Sequence, residues 1–129
     1  MKTIYCLLLL FLPGSLMASE TPEVESINIG SGFIVKKTST DEGQIRQLYY
    51  GENKLGQIGT HSISPSGHYA AFQDVPAGYI YLYRVDDNHI EQLTREFIAP
   101  TRKYTWDETL EIVRIEFTNN AKPLSFAIE

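Results

Sequence analysis

Short apolar or alternating runs, separated by turn residues about every 8–12 positions, constrain this chain more than any other feature of its sequence. The segment Ser64-Pro65-Ser66-Gly67 fits a type I turn, and Asp86-Asp87-Asn88 suits a short hairpin loop. No window of a dozen residues keeps a helical period without a turn signal. This pattern is typical of an all-β barrel or sandwich. The runs predicted as strands are 24–29, 32–38, 44–50, 55–64, 68–73, 79–85, 89–95, 103–106, 109–117 and 124–128.

The first 18 residues have the layout of a secretory signal peptide. Lys2 gives a positive start, residues 4–12 form an unbroken apolar run, and Pro13-Gly14-Ser15 breaks that run before Ala18. The run is too short for a membrane-spanning helix, which needs about 20 apolar residues. A lipoprotein would carry cysteine where Ser19 stands, so no lipid anchor is predicted. We expect cleavage after Ala18 and a periplasmic or secreted bacterial protein with no stable membrane anchor.

The predicted mature chain, residues 19–129, is one domain held by its core alone. Cleavage removes Cys6, which is the only cysteine, so no disulfide framework is possible. The whole chain carries a net charge of -5, which argues against nucleic-acid binding. The sequence therefore predicts an all-β fold after a cleaved signal peptide. We expect a small antiparallel sandwich or barrel-like domain of about 8–10 strands.

Residues 63–94 contain the segments ISPSGHYAAFQ, YIYLYRV and HIEQLT, and residues 106–112 read WDETLEI. Together, residues 63–112 resemble a blade of a TolB-type or Trp-Asp-repeat β-propeller. A closed propeller needs at least four blades of about 40 residues, and this chain has room for two or three. The resemblance implies either an independent sandwich-like domain with blade-like meanders or a module that oligomerises.

A second resemblance concerns one turn. The segment Ser66-Gly67-His68-Tyr69 is similar to the Ser-Gly-x-Tyr loop of periplasmic lysozyme inhibitors. That resemblance implies that Ser66 and Tyr69 contact the catalytic carboxylates of a lysozyme and that Gly67 permits close approach. The four residues Ser66, Gly67, His68 and Tyr69 are therefore the predicted partner-binding site. The alternative is that Ser66-Gly67 is only the turn that leads into the next strand.

Other side chains give no recognisable catalytic or metal-binding pattern. The only histidines are His61, His68 and His89, and no further zinc ligands stand at a familiar spacing. No nucleophile-elbow motif and no glycine-rich phosphate loop are present. The acidic pair Asp107 and Glu108 is interpreted as surface charge. We predict neither a metal nor a cofactor.

Three tyrosines, Tyr79, Tyr81 and Tyr83, share one face of a predicted strand. They could line a ligand site, but ordinary cross-strand packing with hydroxyls at the rim is the favoured interpretation.

Export, small size, acidity and the absence of a catalytic motif favour a protein-binding module without enzymatic activity. The most concrete prediction is an inhibitor or immunity protein against a cell-wall hydrolase such as a lysozyme-like enzyme, with net acidity suited to a basic protein partner. The alternatives are a small secreted hydrolase and a propeller-like accessory or oligomerising module. A cavity that joins His61 or His68 to a carboxylate and a serine would favour the hydrolase, whereas an exposed 64–69 turn would favour the inhibitor.

Overall fold

Ten strands account for most of the chain between residues 23 and 128, the part that the computed structural model describes. Each strand begins and ends within three residues of a run predicted from the sequence, and the described residues contain no helix. The all-β prediction is confirmed. The predicted signal peptide, residues 1–18, lies outside the described residues. The strands are β1 (Glu23–Gly30), β2 (Phe33–Thr40), β3 (Gly43–Tyr50), β4 (Asn53–Ile63), β5 (Tyr69–Asp74), β6 (Ile80–Arg84), β7 (His89–Gln92), β8 (Thr101–Asp107), β9 (Ile112–Phe117) and β10 (Leu124–Ala127).

The strands form two antiparallel sheets. β1 to β7 follow one another in chain order in a seven-stranded sheet, and the second sheet has the order β10-β9-β8. Short connections explain this order, because antiparallel neighbours need only a tight turn between them. Within the described residues neither sheet closes on itself, so packed open sheets, and not a barrel, are the architecture found.

β4 divides the large sheet into two parts. It pairs with β3 as far as Gln57 and with β5 from Ile58 onward, with an irregularity in the register between Ile58 and Thr60. Such a bulge bends a strand. Residues 43–46 of β3 pair with β2 alone, while residues 60–63 of β4 pair with β5 alone. The two strands therefore diverge, and we call the gap between these segments the β3–β4 fork.

β5 and β6 form the middle of three layers. Their alternating side chains direct Phe72 and Tyr83 into a core shared with β2 and β3, which includes Phe33 and Leu48. The opposite face of β6 directs buried side chains toward the small sheet. That second core includes Ile80, Leu82, Val113, Ile115 and Phe117. The central hairpin is thus covered on both faces, which explains its nearly continuous apolar sequence.

Two tyrosines of the predicted stripe, Tyr81 and Tyr83, pack in the core shared with β2 and β3. Tyr83 is buried, meets Phe33 edge-on with the ring centroids 6.2 Å apart, and donates its hydroxyl proton to Asn88 at 2.8 Å. Tyr81 stacks on Phe72, its cross-strand neighbour, at 5.5 Å. Two of the three side chains therefore serve packing, with the Tyr83 hydroxyl at a polar rim.

A buried glutamine links the central layer to the start of the small sheet. The Gln73 amide nitrogen donates to the carbonyls of Gly78 and Ala99, each at 2.9 Å. Its amide oxygen accepts the N–H of Thr101, also at 2.9 Å. Ala99 and Thr101 are themselves buried, so Gln73 satisfies backbone groups that water does not reach.

Candidate functional site

The turn between β4 and β5 is held in one shape by bonds across its base. The Gly67 N–H donates to the Ser64 carbonyl at 2.9 Å and closes the β-turn that the sequence predicts. The Ser64 N–H donates to the Tyr69 carbonyl at 2.9 Å, and the Tyr69 N–H donates to the Ser64 hydroxyl at 3.1 Å. Pro65 further fixes the backbone. We call residues 64–69 the serine turn.

The exposed tip of the serine turn binds a carboxylate of the same chain. The Ser66 N–H donates to one oxygen of Glu108 at 2.9 Å, and the Ser66 hydroxyl donates to the other at 2.5 Å. The Ser66 hydroxyl oxygen also accepts the His68 N–H at 3.2 Å. Hydrogen bonds to an ionised acceptor are shorter and stronger than neutral ones. Ser66 is therefore built to hold both oxygens of a carboxylate.

Gly67 brings the serine turn against the turn between β1 and β2. Its backbone has a φ of +81°, and a Cβ placed there would lie 2.5 Å from the hydroxyl oxygen of Ser31. Only glycine combines this conformation with so close an approach. The resemblance to the lysozyme-inhibitor loop implies that Gly67 permits close approach of a partner, and in the structure the chain's own Ser31 occupies that position.

Tyr69 belongs partly to the second core. Its ring stacks on Trp106 of β8 with the centroids 6.3 Å apart, and the Trp106 indole N–H donates to the Ser62 hydroxyl at 2.9 Å. Tyr69 is half-buried at the first position of β5. Its hydroxyl makes no hydrogen bond within the described part of the chain. One face of Tyr69 thus stabilises the fold while the hydroxyl retains its bonding capacity.

The four predicted contact residues have different surroundings. Ser66 and His68 are exposed side by side, Tyr69 is half-buried, and Gly67 is buried. The side chains of Ser66 and His68 are therefore open to solvent, whereas that of Tyr69 is only partly so.

Glu108 is the residue of the candidate site that the sequence interpretation missed. The sequence predicts surface charge at this position, but Glu108 is half-buried and bound by Ser66. The two residues are 42 positions apart, so no local spacing could reveal the pair. The WDETLEI segment identifies a turn after β8, but only the packing of the small sheet on the large one brings that turn to Ser66.

His61 and Ser62 line a cavity at the β3–β4 fork. No aspartate or glutamate among residues 23–128 lines it, so the triad that the hydrolase alternative requires is not assembled there. Across the same residues no group of three or more His, Cys, Asp or Glu side chains is arranged to hold a metal ion.

The surroundings of His61 predict a pH-dependent stability. Burial, and then the nearby positive charge of Arg46, lower the pKa of His61 below its ordinary value of 6.5. At pH values near and below 6.5, the unfolded chain binds this proton more readily than the folded chain does. The free energy of unfolding therefore decreases as the pH is lowered through this range. We expect His61→Gln to lose less stability than the wild type between pH 7.5 and pH 5.5, measured by urea unfolding.

The exposed His89 supplies the matched control for this prediction. His89→Gln should retain the full wild-type loss of stability between the two pH values, because its side chain is open to solvent. Equal losses in His61→Gln and in the wild type would contradict the assignment.

Comparison with protein-family models, curated proteins and solved structures gives no significant match to this chain. The described residues contain no helix of the length and hydrophobicity that crossing a membrane requires. The function is therefore inferred from the serine turn and its chemistry.

Proposed function

We propose that the protein is an exported protein-binding module that blocks a cell-wall hydrolase, most concretely a lysozyme-like enzyme. One observation carries the proposal: the exposed Ser66 holds both oxygens of a carboxylate through its N–H and its hydroxyl. Glycoside hydrolases depend on a pair of catalytic carboxyl groups that flank the scissile bond. A turn that binds a carboxylate is suited to reach such a pair and exclude the substrate.

In the free protein, Glu108 occupies the position that the partner's carboxylate takes in the complex. Glu108 accepts the hydrogen bonds of the Ser66 N–H and hydroxyl, so both donors are satisfied before a partner binds. On binding, the enzyme's carboxylate replaces Glu108, and the backbone of the turn stays as it is because Ser64, Gly67 and Tyr69 hold it. A preorganised loop loses little conformational entropy on association.

Charge supports the same assignment. The chain carries 16 acidic and 11 basic residues, and complementary charge accelerates encounter with a basic partner. The exposed His68 adjoins Ser66 and supplies a further polar contact at the rim of the proposed interface.

An inhibition assay tests the proposal. Purified exported chain should slow cell-wall hydrolysis by a lysozyme-type muramidase and should form a stoichiometric complex with it in sedimentation. Binding should weaken as salt is raised, because exposed charges are screened. Failure to inhibit or to form a complex with any member of a panel of basic and acidic muramidases would refute the proposed function.

A further inference from the structure

The β3–β4 fork opens into a cavity of about 450 Å³ with a positively charged wall. Arg46, Arg102 and Lys103 line it, although the chain as a whole is acidic. Within the described part of the chain, none of the lining residues is aspartate or glutamate. Charge of one sign around a surface depression raises the local concentration of counter-ions, so this cavity attracts anions.

Two of the three cations are not neutralised by a neighbour. Arg102 pairs with Glu116, but Arg46 and Lys103 make no ion pair with any described residue. One N–H of the Arg46 guanidinium donates to the Gly59 carbonyl across the fork at 2.9 Å. That bond fixes the group in place and leaves four further N–H donors for a ligand.

Two further polar side chains, His61 and Ser62, line the same cavity. The His61 Nδ1 is buried and has no hydrogen-bond partner among residues 23–128. A buried polar atom without a partner is uncommon, and this one belongs to a residue of the cavity wall. The Ser62 oxygen accepts the Trp106 N–H, so the Ser62 hydroxyl proton remains free to donate.

A neighbouring cavity of about 330 Å³ shares Arg46 and His61 with the first. Its wall is formed in part by Ile27, Ile29 and Val35, which continue the apolar inner face of β1 and β2. The shared residues thus stand between a region of polar donors and a region of aliphatic side chains.

We propose that the β3–β4 fork binds a small organic anion, with its carboxylate or phosphate group between Arg46 and Lys103 and its apolar group against Ile27, Ile29 and Val35. This site is separate from the serine turn, and its test needs no muramidase.

Titration of the full purified chain, followed by NMR, tests the site with three probes. Hexanoate should shift the Arg46 and His61 side-chain signals saturably. Hexanol, with the same apolar chain and no charge, should give no saturable shift, and inorganic phosphate should bind more weakly than hexanoate. No saturable shift with hexanoate, equal binding of hexanol, or tighter binding of phosphate would each overturn the proposal.

Lys103→Gln supplies the decisive variant, because Lys103 is exposed and its replacement leaves the core intact. We expect the dissociation constant of the Lys103→Gln variant for hexanoate to rise about fivefold or more, because a charged donor is lost. Lys122→Gln is the matched control, because Lys122 is exposed and lines neither cavity. Its dissociation constant should match that of the wild type. Equal effects of the two substitutions would overturn the assignment of Lys103.

Discussion

Replacing Gln73 with leucine is expected to lower the free energy of unfolding by about 3 kcal/mol or more. Leucine fills a similar volume but leaves the Gly78 and Ala99 carbonyls and the Thr101 N–H without their partner. Each unsatisfied buried group costs about 1–3 kcal/mol. The lost hydrogen bonds join the central layer to the start of β8. The packing of the small sheet on the large sheet should therefore be lost before the large sheet unfolds.

Trp106, the only tryptophan, reports on that docking because it stacks on Tyr69 across the boundary between the sheets. Urea unfolding of Gln73→Leu should be followed by Trp106 fluorescence and by far-UV circular dichroism. Gln47→Leu is the control, because the Gln47 side chain makes no hydrogen bond with the described residues; it should change stability by less than about 0.5 kcal/mol. A loss below about 1 kcal/mol in Gln73→Leu would contradict the role assigned to this glutamine.

The strands were predictable because their signals are local. Alternation in Val113, Ile115 and Phe117 indicates one buried face, and the turn residues Pro65 and Gly67 mark where the chain reverses. Each such pattern depends on residues only a few positions apart. The positions of β5 and β10 therefore follow from the sequence to within one residue at each end, whereas β9 begins three residues later than predicted.

The contacts that make the candidate sites could not be predicted in the same way. Gln73 looks like any polar residue at the end of a strand, and its buried role depends on backbone groups as far as 28 positions away. Glu108 meets Ser66 only after the two sheets pack. The β3–β4 fork depends on where β4 changes partners, and the sequence around Gly59 marks a flexible position but not which strands diverge there.

The second large effect is on the affinity of the proposed muramidase complex. Two single substitutions alter the contact between Ser66 and Glu108, one at each residue. Ser66→Ala removes the hydroxyl that we propose holds the muramidase carboxylate. Hydrogen bonds to charged groups contribute about 1.5–3 kcal/mol, but Ser66→Ala also removes the bond to Glu108 from the free protein, so the net weakening of the complex should be about threefold or more. Glu108→Gln keeps the size of the side chain but removes the internal charge that competes for Ser66. The complex should then strengthen about threefold to tenfold, a gain limited by the exposure of the site to solvent.

Both substitutions should alter the melting temperature only slightly, because the contact lies at the surface and the base of the turn keeps its other bonds. Ser39→Ala, an exposed serine on β2, is the control and should leave the affinity unchanged.

The dissociation constant of the muramidase complex, measured for Ser66→Ala and Glu108→Gln beside the wild type, tests most directly whether the serine turn is a carboxylate-binding site. The account predicts that the two substitutions move the constant in opposite directions, upward for Ser66→Ala and downward for Glu108→Gln. A contact that only supports the fold would move both in the same direction or leave both unchanged, and either result would contradict the account.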